Sequence, residues 1–262
     1  MIANYFYKTL FTRALSAFFL IGLALLINII GGYFFLASIA LVFFILLKEY
    51  YELFSHNILS LNFIFSYFFS IISFILIFYD FYLLIIYPIL INLIIIFILE
   101  KKKWIPFIFP LLYLALPLYI LIYLYNIALG GKLFILWAFI IVWSSDISAF
   151  IFGKLFKGPK LFPTISPNKT WSGFLSSLLI SVIASIIFTY YFSFTSLLDA
   201  TLVGFFVGLG CAGGDLFESW LKRINFKKDT SNLIPGHGGL LDRLDGFLFG
   251  IIIIFIMTLI RS

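Results

Sequence analysis

Between Glu218 and Asp245 the chain carries nine charged side chains, although only 11% of the whole sequence is charged: Glu218, Lys222, Arg223, Lys227, Lys228, Asp229, Asp242, Arg243 and Asp245. Carboxylates hold divalent cations, and ammonium and guanidinium groups hold phosphates, so both types in one stretch suit a metal–phosphate complex. Asp215, Glu218, Ser219 and Lys222 fall at i, i+3, i+4 and i+7, which places them on one face of a helix. Asp242 and Asp245 stand three apart at the entry to a later helix, after a Pro-Gly-His-Gly-Gly turn at 235–239 that includes His237. Glycines there allow positive φ and a close approach of backbone to ligand. The donors are hard oxygens without a cysteine or multiple-histidine set, which favours Mg²⁺ over zinc. A basic patch resting on lipid headgroups is the alternative, and it leaves the aspartates unexplained.

Two further polar groups lie upstream. Asp146 follows Trp143-Ser144-Ser145 inside an apolar run, where a carboxylate is costly and marks either a functional site or a hydrogen-bonded structural group. The segment from Gly153 to Thr170 is interrupted by glycines and prolines and reads as a loop. Its last residues, Ser166, Asn168, Lys169 and Thr170, precede an apolar helix whose free N–H groups offer an anion site; a plain helix cap beside a topology-setting lysine explains them equally.

The elements that must position these groups are membrane helices. The sequence is 64% hydrophobic with a mean hydropathy of +1.19, and its apolar runs approach the length that crosses a bilayer. They are too long for barrel strands and too uniformly apolar for a soluble core. The spacing predicts an all-α, polytopic membrane protein of about nine transmembrane helices, at 14–30, 31–53, 61–79, 81–99, 105–126, 133–153, 172–192, 199–221 and 243–260. Residues 1–130 form an N-terminal set of spans, and 131–262 a catalytic region with cytoplasmic loops at 154–171 and 222–242.

With the N-terminus in the cytoplasm, 15 of the 17 Lys and Arg residues fall on the inner side, including the run Lys101-Lys102-Lys103, and only Lys132 and Arg261 fall outside. The net charge of +6 then reflects topology and attraction to anionic lipids, not nucleic-acid binding. Cys211 is the sole cysteine, so no intrachain disulfide forms, and it reads as a small packing residue.

The pattern Ser219-x-Leu221-Lys222-Arg223, then Lys228-Asp229-x-Ser231, then Ile234-Pro235-x-His237-Gly238-Gly239-Leu240-x-Asp242-Arg243-Leu244-Asp245, resembles the signature of the phosphatidate cytidylyltransferases, also called CDP-diacylglycerol synthases. Asp146 and the Ser166-Pro167-Asn168-Lys169-Thr170 segment also resemble family elements, so the similarity covers roughly 140–250. Ser172 is a departure, since the family usually has a glutamate after Lys-Thr-Trp.

The resemblance implies transfer of the cytidylyl group of CTP to phosphatidate, with release of pyrophosphate, at a site facing the cytoplasm from the inner membrane. It implies Mg²⁺ as cofactor, with one or two cations and a monovalent second ion left open. Asp215 and Asp242 would be the first metal ligands, with Asp245 and Asp146 as further ones. Lys222, Arg223, Lys228 and Arg243 would grip triphosphate or lipid phosphate. Ser166, Asn168, Lys169, Thr170, Ser219 and His237 would line the substrate, although the glycines beside His237 leave it equally a turn-shaping residue. Membrane lipids are the surroundings, and a homodimer is left open. A CTP-dependent polyprenol or lipid kinase and a secondary transporter are the rival classes.

Overall fold

The computed structural model describes residues 2–54, 56–100, 105–126, 130–193, 195–234 and 238–261, with side chains described from Ser16 to Ile260. Among these the chain is built from helices: α1 (Ile2–Ile30), α2 (Gly32–Leu53), α3 (Leu61–Phe78), a 3₁₀ turn (Tyr82–Ile85) leading into α4 (Ile86–Glu100), α5 (Ile105–Pro110), a π segment (Leu111–Ala115), α6 (Leu116–Asn126), α7 (Gly131–Phe156), α8 (Trp171–Phe192), α9 (Leu197–Ile224) and α10 (Leu241–Arg261). Eight helical segments are long and apolar enough to cross a bilayer, and the part of α1 with described side chains, Ser16–Ile30, is a shorter apolar helix. Each expected span therefore carries a helix, and the protein is a polytopic helical membrane protein. Side chains such as Phe68, Ile98, Leu179 and Ile187 point outward, where lipid solvates them.

The structure adjusts the expected loops. The segment 154–171 is not a plain loop: α7 continues to Phe156, and β1 (Lys160–Phe162) pairs antiparallel with β2 (Ser166–Thr170) in the register Lys160↔Thr170 and Phe162↔Ser166. Pro159, Pro163 and Pro167 hold the residues before them extended, which favours strands over helix here. Likewise α9 runs on to Ile224 and α10 begins at Leu241, so the loop expected at 222–242 is shorter at both ends. Lys101, Lys102 and Lys103 lie outside the described residues.

The chain divides into two compact units, Met1–Lys132 with Asp229–Arg243, and Leu133–Lys228 with Leu244–Ser262. In the first unit the core holds Phe35, Phe43, Leu46, Leu47, Tyr50, Tyr51 and Phe74, all at most 2% exposed. Pro110 and Pro117 remove two N–H donors from one span, and the backbone widens into the π segment between them.

In the second unit α8 packs along α9. Gly173, Ser177, Ser181, Ser185 and Thr189 recur every fourth residue on α8 and are all buried. Small residues in such a row let two backbones approach closely. A Cβ on Gly204 of α9 would lie 2.7 Å from the Cα of Val182 and 2.9 Å from the carbonyl oxygen of Ser181. The Ser185 hydroxyl closes the contact, donating to the Ala200 carbonyl at 2.6 Å while accepting from the Trp137 indole N–H at 3.2 Å.

Candidate active site

The second unit gathers four carboxylates from three helices: Asp146 on α7, Asp215 and Glu218 on α9, and Asp245 on α10. Asp245 is buried and feels the charges of Asp215, Glu218 and Asp146. Gly214 explains how α9 and α10 come so near, since a Cβ there would meet the Asp245 carbonyl oxygen at 2.5 Å. Two ammonium groups answer this negative charge. Lys169 of β2 reaches Asp215 at 2.6 Å, and Lys222 pairs with the fully buried Glu218 one turn earlier on its own helix. The Asp245 carboxylate also accepts the Gly246 N–H at 2.8 Å. Ser219 is buried beside Glu218 on α9, and the lone cysteine, Cys211, is buried one turn before Asp215.

The hairpin serves this group structurally as well as chemically. Thr170 is the cap of α8 and accepts the Gly173 N–H at 3.2 Å, so its hydroxyl is engaged in starting the helix. Ser166 is partly buried and Asn168 exposed on the same strand. The Arg223 side chain donates to the Ile165 carbonyl at 3.3 Å and to the Lys227 carbonyl at 3.3 Å, tying the end of α9 to the hairpin turn.

That end is sharply made: Phe226 N–H bonds the Arg223 carbonyl and Lys227 N–H the Lys222 carbonyl, with Phe226 at φ 55° just past the cap Asn225. The turn leaves Arg223 and Lys228 exposed, where anionic groups can reach them.

Asp242 sits in the first unit, in a cradle of its own. Its Oδ2 accepts the Thr230 N–H at 2.9 Å, the Thr230 hydroxyl at 2.8 Å and the Gly239 N–H at 2.8 Å. Gly238 has φ +83°, and a Cβ on it would come within 2.7 Å of that same oxygen, so the turn demands glycine twice over. Arg243, next on α10, is exposed. His237 lies outside the described residues.

The sequence reading missed Glu49 altogether. This residue on α2 is 2% exposed and accepts hydrogen bonds from Ser231, Leu240 and Leu241. An acid toward the end of an apolar span that also holds Glu52 was its only visible signal. Among the described residues no group of three or more His, Cys, Asp or Glu side chains is arranged as a ready metal cage. Carboxylate oxygens are the donor type that Mg²⁺ takes, commonly one or two of them, with waters and phosphates completing its shell.

Carboxylates met by ammonium groups within membrane-spanning helices are costly in hydrocarbon and mark this cluster as a candidate functional site of an integral membrane protein. Residues 11–261 match the sequence model of the cytidylyltransferase family, and this chain belongs to that family. It is similar to the phosphatidate cytidylyltransferase of Staphylococcus haemolyticus, at 41% identity over 128 residues, 48% of this chain and 49% of that protein. The protein of the same name from Staphylococcus saprophyticus is 43% identical over 129 residues, with the same shares of each chain. That from Staphylococcus aureus strain COL is 42% identical over 131 residues, again 48% of this chain and 49% of the relative. The chain spans about half the length of the curated relatives it matches.

Proposed function

We propose that this protein transfers the cytidylyl group of CTP to phosphatidate, giving CDP-diacylglycerol and pyrophosphate in phospholipid synthesis. The observation that carries the reading is the set of carboxylates Asp146, Asp215, Glu218 and Asp245, met by Lys169 and Lys222 inside a membrane-spanning bundle. Family membership and relatives bearing that activity in their names support it. A phosphate oxygen of phosphatidate attacks the α-phosphorus of CTP, the bond to the α–β bridging oxygen breaks, and pyrophosphate leaves. The lipid supplies the nucleophile, so the protein needs to position the substrates and offset charge rather than form a covalent intermediate.

We assign Mg²⁺ ligation to Asp146, Asp215 and Asp245 of the second unit and, separately and on the family pattern, to Asp242 of the first; a bound ion would neutralise triphosphate charge and polarise the phosphate under attack. We assign Lys222, Arg223 and Lys228 of the second unit, and separately Arg243 of the first, to triphosphate or lipid phosphate, and Ser166, Asn168, Lys169, Thr170 and Ser219 to the substrates; His237 is a candidate by the family pattern alone. In the family-like arrangement the site opens to the cytoplasm and takes its lipid from the inner leaflet of the cell membrane.

Isotope position tests this against its rivals. CTP labelled at the α-phosphate should label the lipid, and CTP labelled at the γ-phosphate should leave its label in pyrophosphate. Label reaching the lipid from the γ position would identify a lipid kinase and overturn the reading. A transporter labels nothing.

A further inference from the structure

We propose that Glu49 is a positioning residue: from the last turn of α2 its carboxylate fixes the first turn of α10 and, through Thr230, the carboxylate of Asp242. The inference rests on the cytidylyltransferase reading for what Asp242 does. The clamp itself is a matter of geometry, and all of it lies within the first unit.

Four donors converge on this one side chain. Oε1 accepts the Ser231 hydroxyl at 2.7 Å and the Leu240 N–H at 2.9 Å; Oε2 accepts the Leu241 N–H at 2.7 Å and faces the Thr230 hydroxyl at 3.4 Å. These partners lie 181 to 192 residues away in sequence. They come from both ends of the Thr230–Leu241 excursion, so a single carboxylate closes that loop at its two roots.

Local sequence cannot provide this. The residue at the cap position of α10 is Leu240, whose side chain has no oxygen to accept the first free N–H groups of the helix. Glu49 takes over that role from another helix, and its negative charge lies where the positive end of the α10 dipole favours it. Burial makes the arrangement binding. At 2% exposure the carboxylate has protein donors in place of water, and losing any of them leaves a polar group dry.

The link to Asp242 is the Thr230 hydroxyl. It lies 2.8 Å from Asp242 Oδ2 and 3.4 Å from Glu49 Oε2, so the two carboxylates compete for one proton and Thr230 is held between them. Gly239 shows how little slack the cluster has. A Cβ there would stand 2.1 Å from Thr230 Oγ1 and 2.7 and 2.8 Å from the two Glu49 oxygens, while the Gly239 N–H itself donates to Asp242. Displacing Glu49 therefore frees Thr230 and the turn that hold the Asp242 carboxylate.

Glu49→Gln separates positioning from mere packing, because it keeps the size but turns an NH₂ toward one of the two backbone N–H groups, whichever way the amide is placed. The purified full chain in detergent is measured three ways. Backbone amide exchange over Leu240 and Leu241 should speed up by about tenfold or more. With CTP and phosphatidate, kcat should fall on the order of 100-fold, as misplacement of a site group by about 1 Å does. The Mg²⁺ concentration for half-activation should rise several-fold, which a residue that only stabilises the fold would not change.

Wild-type exchange in the variant overturns the clamp. Faster exchange with unchanged kcat and Mg²⁺ dependence overturns the positioning role, as does a kcat loss accompanied only by a lower thermal midpoint. If Glu49→Gln does not fold, Ser231→Ala, which removes one of the four donors, decides by the same three readings at smaller amplitude. A wild-type protein without cytidylyltransferase activity would sink the functional reading instead, and the exchange measurement, which needs no substrate, would still judge the clamp.

Discussion

The acids of this protein are held in two different ways in its two units. In the first, Glu49 and Asp242 accept backbone N–H groups and hydroxyls of the Thr230–Leu241 segment. In the second, Asp245 stands among Asp215, Glu218 and Asp146, with Lys169 paired to Asp215 and Lys222 to Glu218. Neutral donors fix a carboxylate in one orientation without drawing on any ligand. Acids gathered within membrane-spanning helices favour positive charge beside them, which two lysines supply and a bound cation can add to. The first arrangement suits holding a group still, and the second suits binding.

The sharpest way to break that comparison is to remove one acid of each kind. Asp215→Asn and Asp242→Asn should each lower cytidylyl transfer by about 100-fold or more while the proteins remain folded, since both are assigned to the metal. They should differ elsewhere: Asp242→Asn should loosen amide exchange around Thr230 and Gly239, and Asp215→Asn should leave those amides as they are. Near-normal turnover in either variant removes that residue from the metal set, and identical exchange changes in both erase the contrast between the units.

A smaller effect, on stability rather than chemistry, tests whether the second unit depends on its close helix contact. Gly204→Leu should destabilise the protein by about 3 kcal/mol, because Val182 and Ser181 backbone atoms cannot move aside as a flexible side chain would. A thermal midpoint in detergent equal to that of the wild type would show that α8 and α9 need not approach so closely.

The smallest expected effect is at Ser172, where the family pattern leads one to look for an acid. Its hydroxyl lies 3.1 Å from Thr170 Oγ1 and accepts the Gly158 N–H at 3.4 Å, long contacts that help join the hairpin to α8. Ser172→Ala should keep activity within about threefold, in line with the loss of one weak hydrogen bond. A drop on the order of 100-fold would give Ser172 a catalytic duty that nothing in its surroundings suggests.

The helices were legible in the sequence because hydrocarbon allows few alternatives: an apolar run of the right length must satisfy its backbone internally, and the runs drawn from hydropathy all carry helices. The face shared by Asp215, Glu218 and Lys222 was legible for a similar reason, since helical periodicity alone places them together. The last residues of α7 and α9 were not, because Lys154 and the Lys222-Arg223 pair interrupt the apolar runs that hydropathy detects.

The β1–β2 hairpin also escaped. Its prolines signal a break in helix without specifying which strand pairs with which. The row Gly173-Ser177-Ser181-Ser185-Thr189 was in plain view, yet only the packing of α8 on α9 gave it meaning. Lys169 could be read as a cap-side cation but not as the partner of Asp215, 46 positions away by their numbering.

Glu49 marks the limit most clearly. By itself it is one acid near the end of an apolar span, and no spacing connects it with Thr230, Ser231 or Leu241. What the sequence by itself determined was the membrane architecture and the shared helical face of Asp215, Glu218 and Lys222, because both follow from composition and short-range period. The tertiary structure alone decided that Glu49 meets Ser231, Leu240 and Leu241 and that Lys169 meets Asp215, because partners up to nearly two hundred residues apart are chosen by packing and not by local pattern.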